Sequence, residues 1–99
     1  MYVNVIRSSV RDVVAICDDD LLGKRFEEGE FQLDVKESFY AGEKKSREET
    51  LGVIDFMAKE DATFNAVGEE YVKLLIEAGI LKKEGVGEIG GVKFGLVLL

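Results

Sequence analysis

The chain has 99 residues, the size of one domain with no room for a second, and its hydrophobic share of 46% beside a charged share of 33% is enough for a core and too much for a disordered chain. Its formal net charge of −7 sets the surface against phosphate backbones and anionic membranes, so direct nucleic-acid or membrane binding is not expected. A single cysteine, Cys17, excludes an internal disulfide and a cysteine-based metal cage within one chain. With no leader-like N-terminus and no apolar run of about 18 residues, the protein reads as cytoplasmic.

In chain order, Tyr2 to Ile6 alternates loosely and Val10 to Cys17 is rich in Val and Ile, with Ser8-Ser9 between them; this predicts a strand pair. The polar run Asp18-Asp19-Asp20 follows, then turn material at Glu27-Glu28-Gly29-Glu30 and a half-buried strand at Phe31 to Val35. Ser46-Arg47-Glu48-Glu49 has the spacing of a capping box, which predicts a helix from Arg47 to about Ala58 with Leu51, Val53, Ile54 and Met57 as its buried stripe. A second helix is predicted from Glu69 to Ala78, because Tyr71, Leu74, Leu75 and Ala78 fall at helical spacing and Gly79 can cap its end. Val86 to Ile89, Gly90-Gly91 and Val92 to Leu98 predict a closing hairpin.

Strands, two helices and strands again give an α+β expectation: one domain over residues 1–99, a mainly antiparallel sheet, and two helices packed on it. The apolar end Leu96-Val97-Leu98-Leu99 needs cover from the domain or from a second copy, which makes a homodimer an expectation.

Several motifs are weaker than they look. Gly85-Val86-Gly87-Glu88-Ile89-Gly90 spells a dinucleotide fingerprint, but it follows a helix and leaves too little chain for a βαβ unit, so hairpin glycines are expected. Cys17 has carboxylates as neighbours and no histidine anywhere in the chain, which is the wrong setting for a reactive thiol. The aspartates Asp18, Asp19 and Asp20 are the carboxylate cluster a hard cation would need, yet they lack the alternating spacing of a calcium loop. Whether they hold a metal is left open, and solvation or capping is the simpler role.

The block Cys17-Asp18-Asp19-Asp20-Leu21-Leu22-Gly23-Lys24, followed by Phe26-Glu27-Glu28-Gly29, resembles a small archaeal family catalogued as a domain of unknown function. The similarity continues through Phe39-Tyr40-Ala41-Gly42-Glu43, Asn65 to Glu69, Ile76 to Gly79 and Ile89 to Val92. The last block of that family usually continues with proline and histidine, where this chain has Lys93-Phe94. The resemblance implies an archaeal, cytoplasmic, single-domain protein; it implies no activity, no cofactor and no catalytic residue.

Two functional expectations follow. The first is a binding or adaptor module whose acidic surface meets a basic protein partner, with Asp18, Asp19, Asp20, Lys24, Phe39, Tyr40 and Glu43 as binding residues. The second is a small enzyme or ligand-binding protein in which Asp18, Asp20, Lys24 and Tyr40 line a pocket, with or without a divalent cation.

Overall fold

The structure, a computed structural model, describes residues 1–98. Its elements are β1 (Tyr2–Ile6), β2 (Val13–Cys17), β3 (Arg25–Glu28), β4 (Phe31–Asp34), α1 (Glu37–Tyr40), β5 (Glu43–Lys44), α2 (Arg47–Lys59), β6 (Thr63–Val67), α3 (Glu69–Glu77), β7 (Val86–Ile89) and β8 (Val92–Val97), with single 3₁₀ turns at Asp19–Leu21 and Lys83–Gly85. Six strands form one sheet in the order β5-β1-β2-β6-β8-β7, and β3 and β4 pair separately as a hairpin. Every pairing is antiparallel except β2 with β6. The fold is α+β, with N-terminal strands and a C-terminal hairpin.

Four expectations need correction. A central strand, β6, stands between the two long helices, where none was expected, and it completes a parallel β2-α2-β6 crossover. Of the stretch expected as turn, Glu27-Glu28 belongs to β3, while Gly29-Glu30 is the turn. Helices number three, since the segment before β5 closes into α1. At the start of the chain β2 begins three residues later than the Val10 boundary, because Val10 is 93% exposed. The loop there is held by the Arg7–Asp12 ion pair at 2.8 Å and by the Ser8 N–H donating to the same carboxylate.

Local chemistry sets the helix ends. Ser46 and Glu49 form the full capping box of α2, each side chain accepting from the other's backbone N–H. Gly79 adopts φ +76, and the N–H groups of Gly79 and Ile80 donate to the carbonyls of Ile76 and Leu75. This double closure ends α3 and needs a residue free of Cβ strain.

The sheet has two unequal faces. Val3, Val14, Ile16, Phe64, Ala66 and Val97 point toward α2 and α3, where they meet Ile54, Met57, Tyr71, Leu74 and Leu75 in the larger core. On the other face Ala15, Cys17 and Val67 meet Val35 and Tyr40 from the segment between β2 and α2, with Phe26, Leu33, Phe39 and Phe94 at the margin. That segment covers only one end of its face. At the other end Ile6, Val13, Thr63 and Asn65 are half-buried, and Leu96, across the ladder from Asn65, is 54% exposed.

Candidate functional site

The parallel strands β2 and β6 end side by side, and the Asp18 N–H donates to the Val67 carbonyl at 3.1 Å. Both chains turn away here, so the point resembles the strand-end crevices in which other sheets hold ligands. Helix α3 opens at Gly68 (φ 111), which has no side chain to cap it. The Asp18 carboxylate lies where a Cβ on Gly68 would have to be. Glycine therefore lets a carboxylate from a neighbouring strand sit at the positive end of the helix, the place an N-cap side chain normally fills.

Burial pushes the Asp18 carboxyl up to about 6, and the charges of Asp20 and Glu70 push in the same direction, while the Glu70 backbone N–H pulls against them. Asp19 differs in sign. It pairs with the N-terminal ammonium of Met1 and with Lys44, and its hydrogen bond to that ammonium is the main cause that holds its carboxyl below the usual range. Asp20 is exposed and forms no ion pair among the described residues. The three consecutive aspartates thus have three jobs: one caps a helix, one ties down the chain start, and one faces solvent.

The remaining expected residues disperse. Lys24 is exposed; its backbone joins the Leu21 and Val35 carbonyl and amide, not the cleft. Tyr40 is buried in the smaller core, edge-on to Phe39 with ring centres 5.0 Å apart, and burial together with Cys17 raises its hydroxyl to about 12. Glu43 pairs with Lys45 at 3.0 Å, at the opposite edge of the sheet. Cys17 is fully buried, and burial first, then Asp18, raises its thiol to about 12, which makes it a packed side chain.

Asp18 and Asp20 do share a cleft of about 180 Å³ with Gly68, Glu69, Gly91 and Lys93. Sequence reasoning missed Gly68, Glu69 and Lys93. A helix that opens Gly-Glu-Glu directly after a strand, with no Ser, Thr, Asp or Asn in front of it, was the available signal that its cap comes from elsewhere. Among the described residues no group of three His, Cys, Asp or Glu side chains is arranged to hold a metal ion. The cleft offers carboxylates to a cationic group and an ammonium, Lys93, to an anionic one. In the glycine-rich segment Gly87 sits where the Phe94 ring fills the space of a Cβ, and Gly90 and Gly91 take positive φ in the β7-β8 turn, so these glycines build the hairpin.

The surface carries a second feature that the expectations passed over. From Arg25 to Asp34 the hairpin has four carboxylates, Glu27, Glu28, Glu30 and Asp34, against one cation, Arg25, which pairs with Glu27 at 3.3 Å. Phe31, directly across from Glu28 in the ladder, is 70% exposed at its tip. The Gly90 N–H donates to Glu28 at 3.2 Å and fixes that tip against the β7-β8 turn.

No helix among the described residues is long and apolar enough to cross a membrane. No curated protein matches the sequence. Among solved structures, the chain is similar to the crystal structure of an uncharacterized conserved protein from Methanopyrus kandleri, with a TM-score of 0.84 and 27% identity over 98% of this chain and 90% of that one. A family model described as a protein of unknown function, DUF424, matches residues 6–98. With nearly all its residues inside that match, the chain belongs to the DUF424 family.

Proposed function

We propose that the protein is a small binding or adaptor module of the cytoplasm that engages a basic protein partner, and that the β3-β4 hairpin makes the contact. One observation carries this reading: an exposed aromatic side chain, Phe31, stands on a hairpin with four carboxylates against one cation, Arg25, which is already paired with Glu27, on a protein of net charge −7. An aromatic anchor with a charged surround is the composition of an interface hot spot, and the surrounding field would steer a basic partner while repelling nucleic acid. The hairpin replaces the Asp18–Asp20 block as the contact surface, since Asp18 and Asp19 are engaged within the molecule. An archaeal source is in keeping with the Methanopyrus kandleri neighbour.

The test uses parallel baits in one lysate. A basic protein retained by the wild type at low salt, lost with Phe31→Ser or with Glu27→Lys and Glu30→Lys together, and kept with Asp19→Asn would support the hairpin. Equal retention on all baits would remove it.

The apolar end of the chain favours self-association as well: Leu96 and Leu98 are 54% and 71% exposed, side chains that a second copy would cover. Sedimentation equilibrium checks this, and a Leu96→Asp change should yield a monomer. The second expectation, a small-ligand site, draws its support from Asp18, whose carboxyl titrates near neutrality in a cleft. A ligand for that site would stabilise the wild type and fail to stabilise Asp20→Asn.

A further inference from the structure

We infer that the cleft between α3 and the β7-β8 hairpin is a binding site for a small phosphate monoester with an apolar body. The cleft is separate from the surface of the β3-β4 hairpin, and the inference does not depend on the function proposed for that surface.

The charge of the cleft comes first. In a chain with thirteen Lys and Arg against twenty Asp and Glu, a surface cleft is expected to be acidic or balanced. This one is lined by three lysines and a single carboxylate, Glu69. The lysines come from three separate elements: Lys73 from α3, Lys83 from the 3₁₀ turn beyond it, and Lys93 from β8. Their convergence is therefore made by the fold and not by a basic stretch of sequence. Glu84, next to Lys83, and Glu88, across the ladder from Lys93, are exposed and do not line the cleft.

These cations are not used up within the molecule. Glu69 is shared between Lys73 at 3.9 Å and Lys93 at 3.7 Å, both longer than a hydrogen bond. Lys83 joins no ion pair among the described residues. One negative charge against three positive leaves two positive charges unbalanced at the mouth. Like charges gathered there repel one another, and a bound dianion removes that cost. A phosphate monoester carries close to two negative charges at neutral pH and three strong acceptor oxygens, where a carboxylate ligand brings only one charge. Lysine is a common partner of phosphate.

The floor of the cleft sets the rest of the ligand. Val72 and Ile76 stand one turn apart on α3, and Val86 joins them from β7. Ile76 and Val86 are only half-buried, at the margin of the larger core. The cavity measures about 320 Å³, at the small end of ligand sites, with room for a ring or a short chain beside the phosphate. Apolar floor and cationic rim together orient such a molecule with its head outward.

The experiment titrates the ¹⁵N-labelled full chain with phenyl phosphate, inorganic phosphate and phenol, and reads amide shifts. Phenyl phosphate should give saturable shifts centred on Val72, Ile76, Val86 and Lys93, and should bind at least about fivefold tighter than either of its parts. Lys83→Gln should weaken it about fivefold. Lys59→Gln, which removes the same charge from the exposed end of α2, should leave it unchanged. Glu69→Gln removes the competing carboxylate and should tighten binding about threefold, a gain that lost folding cannot produce. Equal weakening by Lys59→Gln and Lys83→Gln, or shifts scattered over lysines elsewhere, would reduce the effect to overall charge and overturn the inference. So would phenol or inorganic phosphate binding as tightly as phenyl phosphate, weaker binding to Glu69→Gln, or no saturation below about 10 mM.

Discussion

The two faces of the sheet are closed by different means. Helices α2 and α3 seal one face with long apolar stripes, and its core gathers the largest fully buried side chains, Tyr71, Phe64, Ile16 and Ile54. The other face is closed by a hairpin, one turn of helix and an ion pair at the chain start, and the covering segment contributes only Val35 and Tyr40 as buried apolar residues. One face is therefore a folding core, and the other a scaffold on which exposed charge and an exposed aromatic are displayed. Stability and interaction need different surfaces, and a small domain that keeps both must thin the packing somewhere.

Substitutions can break or sharpen this contrast. The largest effect is expected at Phe64→Ala in the helix-side core, which should cost about 3–5 kcal/mol by denaturant unfolding. Val35→Ala on the thinner face should cost about 2 kcal/mol; a loss as large as that at Phe64 would erase the distinction between the faces. Third is a gain. The Tyr71 hydroxyl is buried without a hydrogen-bond partner among the described residues, so Tyr71→Phe should raise stability by about 1 kcal/mol, and a fall would mean that the hydroxyl has a partner such as buried water.

The smallest effect is a pH dependence on the thinner face. Because the Asp18 carboxyl titrates higher in the fold than in the open chain, its contribution is full while it stays protonated and is lost as pH rises toward and past about 6. Asp12, Asp19 and Glu49 are held low by ion pairs or backbone donors and act in the opposite sense, losing their contribution as pH falls. Asp18→Asn keeps a capping group that cannot ionise. The difference in melting temperature, variant minus wild type, should therefore grow between pH 4 and pH 7, by the linkage of protonation to folding. A flat difference would show that Asp18 titrates as an ordinary surface carboxyl.

The same contrast governed what could be read in advance. Helices α2 and α3 were legible to within a residue, because the capping box at Ser46 and Glu49, the stripe of α3 and Gly79 are local signals. Strand β6 was not, since Thr63-Phe64-Asn65-Ala66-Val67 alternates only weakly and owes its conformation to neighbours on both sides. Nor were β3, α1 and β5, short pieces whose existence depends on the face they cover. The aspartates stood out as a cluster, but their separate duties were set by Gly68, Met1 and Lys44, all distant in sequence.

The parallel pairing of β2 with β6 also has a kinetic meaning. Val13 meets Thr63 and Cys17 meets Val67, partners half a chain apart, so the centre of the sheet cannot close until the intervening hairpin and α2 have found their places. Contacts of that span pay the entropy of a long loop before they return any energy, which slows folding. A nascent chain that has reached α2 but not β6 holds β2 with one edge unsatisfied, and β6 in turn waits for β8 to cover its far side. Refolding should accordingly be slow for a domain this small, with the terminal hairpins forming ahead of the centre they flank.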